Sequence, residues 1–463
     1  MGSPPKRWAW IASTLAVVFA ATLVRFTLNF ATTYPPATDA GYYPMQTLYW
    51  FAHGRLMYAD LPLLFALNIA FTKILTLLGR PLDVAALLAS RVLDCVLEPW
   101  TAVSVMVAGY TWSNKRARGL PGAIAAALFV VWSWPILFML SDFQKNSLGF
   151  VWMASAIWAC RRVMASPDLR RWAALALFLL LAAITHIGAF AVTTLIVFGA
   201  LLIWYWPDRQ HKILIFIGSC IVVFLGLIYF VDSRRALSIV RAPIDLFMSG
   251  PLWFTPLPEF LFEVIIIAFA VRRLRRDRTE LIPADFAIVI ALIGITAFLA
   301  VPKAEEYSGR LALMATVPLA FLIVFLTGRS AAANRSLIPA FFLLLAVPSI
   351  THPPQIWMQR PFMIEGAAQE LREFRQRITD PQSTVVVAPH GLEWWSGYFL
   401  GTPVRMRKPS LPSSQYQRIL LLRDTRDFPL PDMPGNIAPE PIKPPAQQIY
   451  KGRYIEIYEI PNS

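Results

Sequence analysis

Apolar runs long enough to cross a bilayer recur through the first 350 residues, and nothing constrains the fold of this chain more. A hydrocarbon core about 30 Å thick needs about 20 apolar residues as a helix, and in lipid every backbone polar group must be satisfied within the segment or a closed sheet. Such runs occupy roughly 8–31, 83–112, 120–140, 147–160, 172–185, 187–206, 212–231, 256–271, 283–301, 311–328 and 336–350. The reading is a polytopic α-helical membrane protein of about 11 spans. Composition agrees, since 57% of the residues are hydrophobic and 15% charged, against about 45–50% and about 25% in soluble domains. That excludes a cytosolic enzyme, a disordered tail protein and a disulfide-stapled secreted module. Cys95, Cys160 and Cys220 all sit inside apolar runs, so neither a disulfide framework nor a zinc motif is on offer.

The net charge of +14 does not point to nucleic acid, because the basic residues come as short clusters between apolar runs. Threading the runs alternately from Lys6 and Arg7 places Lys115 to Arg118, Arg161-Arg162 with Arg170-Arg171, Asp208 to Lys212, Arg272 to Arg278, and Arg329 with Arg335 on one side. That side is the cytoplasm by the positive-inside rule. The stretch Leu63 to Leu78 breaks this pattern if counted as a span, so it reads as a short interfacial or re-entrant helix. The run over 172–206 reads as two helices split at Thr185-His186, with His186 plugging the break. Asn334-Arg335-Ser336, the only Asn-x-Ser/Thr sequon, falls in an inner loop, which fits a bacterial inner membrane.

Residues 1–350 therefore form the transmembrane domain, and 351–463, Pro-rich and ordinary in composition, a small outer α/β domain. In it, Met363 to Ile378 reads as an amphipathic helix, and Thr384 to Ala388, Tyr416 to Leu422 and Tyr450 to Ile460 as strands. Of the adjacent Trp394 and Trp395, at least one belongs to the core, since neighbours on a helix face different ways.

The same threading gathers Asp39, His53, Asp60, Asp142, Lys145, His186, Arg234, Arg235, Arg241, Lys303, Glu305, Glu306 and Arg310 on the outer face. The first outer loop, at about 50 residues, is far longer than a connection requires. It runs Thr38-Asp39-Ala40-Gly41-Tyr42-Tyr43, then His53-Gly54-Arg55-Leu56-Met57-Tyr58, then Ala59-Asp60-Leu61-Pro62. Within 83–112, Arg91, Asp94 and Glu98 share one helical face that must turn inward, each costing about 2.5–3.5 kcal/mol if left in lipid. An internal ion-pair network is the plain reading of that face, and a proton or ion path the sharper one.

The first outer loop resembles that of the GT-C superfamily of membrane-embedded glycosyltransferases, above all the protein mannosyltransferase and aminoarabinose transferase branch. Asp39 matches the acid after the first helix, and Asp60 the acid two residues before a helix-opening Pro. Arg91, and Tyr307-Ser308-Gly309-Arg310 followed by Pro318, continue the likeness. One position departs from it: many members carry a second acid directly after the first, and here that residue is Ala40.

The resemblance implies a transfer of sugar from a polyprenyl-phosphate donor to a glycan, lipid or protein acceptor. Asp39 and Asp60 are then the catalytic acids, Asp39 as general base and Asp60 as a possible ligand of a divalent metal, Mg or Mn, or otherwise the cap of the helix opening at Pro62. His53, Tyr58, Arg234, Arg235, Glu305, Glu306 and Arg310 are expected to bind substrate, the arginines because guanidinium matches phosphate oxygens. Two other readings stand beside this one: a transporter or flippase working through Arg91, Asp94, Glu98 and the split helix at His186, and a non-catalytic assembly partner, which Ala40 admits.

An odd number of spans puts 351–463 outside. Alkaline phosphatase fused after Ser463 is expected to be active in a bacterial host; fluorescence of a green fluorescent protein fusion there, with an inactive phosphatase, would shift the threading by one span.

Overall fold

The computed structural model describes residues 7–113, 119–133, 136–137, 139–205, 252–253, 257–301, 303–329, 362–406, 416–425 and 446–460, with isolated positions between 218 and 248. The chain runs through helices α1 (Arg7–Asn29), α2 (Tyr42–His53), α3 (Pro62–Leu77), α4 (Leu82–Leu97), α5 (Thr101–Trp112), α6 (Leu120–Trp132), α7 (Gln144–Ala165), α8 (Leu169–Ala183), α9 (Ile187–Tyr205), α10 (Leu257–Arg276), α11 (Pro283–Ala300) and α12 (Glu305–Arg329). Five segments among the described residues are long and apolar enough to span: Arg7–Asn29, Leu82–Trp112, Ile187–Tyr205, Pro283–Ala300 and Leu311–Gly328. The expected runs at 336–350 and most of 212–231 lie outside the described residues, as does the boundary at 350.

The short helices fall where expected. Pro62–Leu77 is 16 residues, less than a span, and opens at a proline whose missing N–H costs nothing there. The split at 184–186 is real, and His186 caps the second helix, its Nδ1 accepting from Ala189 N at 3.1 Å. On α1, Leu15, Phe19 and Leu23 lie on one exposed stripe, as a lipid-facing helix requires. Its opposite face packs inward, and α5 meets α6 so closely that a Cβ on Gly109 would stand 2.4 Å from that of Ala123.

The C-terminal unit adds α13 (Glu365–Arg375) and α14 (Leu392–Leu400) to a five-stranded mixed sheet of β3 (Thr384–Val387), β4 (Val404–Arg405), β5 (Arg418–Asp424), β6 (Gln447–Lys451) and β7 (Ile455–Ile460), in the order β4-β3-β5-β7-β6. A two-stranded ribbon, β1 (Leu252–Trp253) with β2 (Lys303–Ala304), precedes it. β3 lies parallel to both neighbours, with α14 bridging β3 to β4, while β6 and β7 form an antiparallel hairpin. The strand expected over Tyr450 to Ile460 is thus two strands. Glu370 of α13 fastens the hairpin, its carboxylate accepting from the N–H groups of Arg453, Tyr454 and Ile455.

This unit does not own its core. Val386, Leu420, Leu422, Ile455 and Ile457 on one sheet face pack in a single cluster with Trp395, Leu371 and Phe374, and also with Tyr34, Ala40 and Met45 of the first loop. Side chains tie the seam: Arg372 Nη2 donates to Tyr34 Oη at 3.0 Å, Tyr398 Oη to Asp83 O at 2.9 Å, and Tyr58 Oη both donates to Val404 O and accepts from Val404 N. Trp395 is fully buried there, as one of the two tryptophans had to be.

α14 presses against backbone at Gly41, where a Cβ would lie 2.9 Å from Trp395 Cδ2, 3.0 Å from Trp395 N and 3.1 Å from Trp394 C. Two of those atoms are backbone and cannot give. Gly41→Ala is expected to cost about 1–3 kcal/mol and to loosen α14 first. Thermal unfolding together with limited proteolysis of the C-terminal unit checks this; parent-like Tm and protection would show that the contact carries no weight.

Candidate active site

Two loops and the start of α14 meet around Asp39. The turn Asp39–Gly41 leads straight into α2, and Asp142 stands just ahead of α7. Asp142 Oδ1 accepts from Asp39 N at 2.5 Å and from Thr38 Oγ1 at 2.8 Å, so the two acids are held together across more than a hundred residues of chain. Tyr43 Oη donates to Asp142 O at 3.2 Å. From the C-terminal unit, Trp394 Nε1 donates to Asp39 Oδ1 at 2.7 Å, and His390 Nδ1 pairs with Glu393 Oε1 at 2.8 Å.

The charges within this cluster pull against one another. Burial, reinforced by the charge of Asp39, pushes the Asp142 carboxyl up to about 6, although the Asp39 and Thr38 donors and His390 draw it back. Burial works against a charge on His390, yet its hydrogen bond to Glu393 and the charges of Glu393, Asp39 and Asp142 push it up to about 9. Burial raises Glu393 as well, with His390 opposing. At neutral pH the acids therefore face an imidazolium. Asp142 Oδ2 accepts no hydrogen bond among the described residues, which leaves one oxygen of a carboxylate poised near neutrality for an incoming proton.

Asp60 lies beside this pair in a different setting. Its Oδ2 accepts from Tyr42 Oη at 2.6 Å and pairs with Lys145 Nζ at 2.5 Å, and its Oδ1 accepts from Leu61 N at 2.8 Å. It is not the cap of α3, whose N-cap residue is Leu61 with no side-chain bond. Nor do these three neighbours suit the expected Mg or Mn: each is a donor, and a cation there would have to displace the Lys145 ammonium. Among the described residues no group of three His, Cys, Asp or Glu side chains is arranged to hold a metal ion.

The other expected substrate residues scatter. Tyr58 serves the seam to β4, its hydroxyl committed to Val404 and its ring lying 6.0 Å from that of Trp394. His53 ends α2 on the exposed side, against Tyr49 and Gln382. Glu305, Glu306 and Arg310 open α12, and of their side chains the described structure says nothing; Arg234 and Arg235 lie outside the described residues. Ala40 is buried in the cluster shared with the sheet, so an acid at 40 would meet apolar packing, and the acid held against Asp39 is Asp142. The sequence places Asp142 and Lys145 on the outer face without assigning them a role, and nothing in it singles out His390 for this site. The signal available for Asp142 was its position two residues beyond an expected span.

No family model and no curated protein matches the sequence. Solved structures do match. ArnT from Cupriavidus metallidurans bound to undecaprenyl phosphate is 12% identical over 98% of this chain and 98% of its own, with a TM-score of 0.57. The same protein in the apo state gives 0.55 at 12% identity, over 97% and 98%. The Archaeoglobus fulgidus oligosaccharyltransferase, in complex with Zn and sulfate, is 11% identical over 88% of this chain and 67% of its own, with a TM-score of 0.51. The chain thus shares its fold with ArnT and with the archaeal oligosaccharyltransferase, and the match to ArnT runs nearly end to end on both chains.

The electrostatics yield a test. A raised folded value means that the His390 imidazolium stabilises fully below about 6.5, and that this contribution is lost as pH rises through about 9. Nitrogen-15 NMR of histidine-labelled protein should find one imidazole titrating near 9, moving to about 6.5 or lower in Glu393→Gln. An unmoved midpoint would break the pairing.

Proposed function

We propose that this chain is an inverting glycosyltransferase that moves a sugar from a polyprenyl-phosphate donor to an acceptor at the outer face of a bacterial inner membrane, with the C-terminal unit outside. The observation that carries this reading is the Asp39–Asp142 pair, built where two loops meet α14 and flanked by the cations Lys145 and His390. The likeness to ArnT, whose structure holds undecaprenyl phosphate, supports a polyprenyl carrier.

In this reading the acceptor hydroxyl attacks the anomeric carbon from the face opposite the phosphate, in a single displacement that inverts the centre. Asp39 is the base that takes the hydroxyl proton, and Asp142, fixed against it through the Asp39 N–H, acts on it by its charge. The phosphate leaves with the bonding electrons, and cations stabilise the charge it gains. Lys145 is fixed for that task by Asp60, and Arg234, Arg235 and Arg310 complete the clamp. Asp60 is thus a holder of the cation rather than a metal ligand. Trp394 closes the site against water and orients Asp39.

The transporter reading has less to work with. Arg91, Asp94 and Glu98, its charged parts, face Arg25, Asn29 and backbone groups inside the bundle, and His186 at the split helix caps the helix that follows. The assembly-partner reading rested on Ala40, and Asp142 supplies the acid that position lacks.

Asp39→Asn keeps size and hydrogen-bonding capacity but removes basicity. The purified protein in proteoliposomes should bind undecaprenyl phosphate as the parent does, and transfer from radiolabelled undecaprenyl-phosphate sugars should fall at least about 100-fold. Asp142→Asn should fall comparably, and the double variant little further. Transfer by Asp39→Asn at near the parent rate would overturn the mechanism.

A further inference from the structure

Two residues other than glycine have positive φ among the described residues, Ala37 at 85° and Ser141 at 69°. Each stands directly upstream of one acid of the pair, Ala37 two places before Asp39 and Ser141 one place before Asp142. A side chain with a Cβ keeps that conformation only where its surroundings over-determine it. The surroundings here converge on one face of α4.

Asp94 Oδ2 accepts from Ser141 N at 2.8 Å, which fixes the backbone entering Asp142. The same carboxylate accepts from Asn29 Nδ2 and from Arg25 Nη2, both at 3.2 Å, and Arg25 Nε donates to Asp94 O at 3.1 Å. One turn earlier, Arg91 makes no ion pair among the described residues. Its guanidinium serves the chain leaving α1: Nη1 donates to Thr33 O at 2.7 Å, Nη2 to Thr32 O at 2.8 Å and to Asn29 O, and Nε to Asn29 Oδ1 at 3.1 Å. Arg25, Asn29, Arg91 and Asp94 are all buried. The segment entering Asp39 is thus tied to Arg91 and the segment entering Asp142 to Asp94, and the two then close on each other through Thr38, Asp39 and Asp142 Oδ1.

We propose that Arg91 and Asp94 are positioning residues, and that this one face of α4 sets the spacing and orientation of the Asp39–Asp142 pair. The functional sense of the proposal rests on reading that pair as the reacting acids. Glu98, one turn further along, is the internal comparison. It is as buried as Asp94 and lies 3.6 Å from Arg25, yet neither of its oxygens accepts a hydrogen bond. If the charges of α4 merely balanced one another, Asp94 and Glu98 would behave alike. If Asp94 aims Asp142, only Asp94 affects the pair.

The test is disulfide trapping, which needs no sugar donor and so can fail or succeed apart from the transfer assay of Asp39→Asn. In a background with the native cysteines replaced by alanine, Thr38→Cys with Asp142→Cys places two thiols where the Thr38 hydroxyl now meets the carboxylate. Copper-phenanthroline oxidation in nanodiscs, read by peptide mass mapping, gives the closure rate. Adding Asp94→Ala is expected to slow closure at least about tenfold, while Glu98→Gln stays within about twofold. Ser141→Gly, which adopts the left-handed backbone without a Cβ penalty, is expected to restore most of the rate lost in Asp94→Ala. A general loss of structure would not be rescued that way. Should Asp94→Ala fail to fold, Arg91→Lys keeps the charge but cannot reach the three carbonyls together, and must slow closure. Parent-like closure in Asp94→Ala or in Arg91→Lys overturns the proposal, as does an equal slowing by Glu98→Gln.

Discussion

One carboxylate oxygen, Asp142 Oδ1, joins the loop that follows α1 to the turn that precedes α7. Both segments are irregular backbone at the edge of a helical bundle, where unpaired polar groups are costly and extended loops are otherwise free to drift. The bond at Asp39 N removes that freedom at the point where chemistry needs it least. It also brings two acids together, which is electrostatically unfavourable unless cations stand by. His390, held charged by Glu393, meets that need, while Lys145 is paired with Asp60.

The C-terminal unit belongs to this arrangement rather than hanging beside it. Its sheet shares one apolar cluster with Tyr34, Ala40 and Met45, so burying the inner face of β3 and β5 and seating the Asp39 turn are one packing event. Gly41 is what permits α14 to come so near, and the reward of that approach is the Trp394 bond to Asp39. The cost of holding polar groups in a dry seam is met by exact pairings such as Tyr58 with both backbone groups of Val404.

Much of this was legible along the chain because it is local. Apolar length and loop charge give the helices, the break before His186 and the half-length helix at Pro62, since each depends on neighbours within a turn or two. The amphipathic period over Met363 to Ile378 marks α13, and Asp39 stands out by its place after the first span. What stayed hidden is long-range pairing. Arg25, embedded in an apolar run, gives no hint that it meets Asp94, and the first-loop resemblance said nothing of Trp394, 355 residues from its partner. Asp60 shows the same limit: its local context, two residues before a proline, describes a cap or a ligand, and its pairing with Lys145 from another loop is not written there.

The descent of α14 onto the Asp39 turn also orders events in time. During synthesis the spans and both acidic loops emerge first, and the stretch that carries His390 and Trp394 follows some 250 residues after Asp142. Until it arrives, the acid pair has no imidazolium opposite it and no indole over Asp39, and it lies open to water. The bundle can therefore be inserted and largely packed while its acidic corner is still unfinished, and a portion of the chain made much later is the one that shuts it.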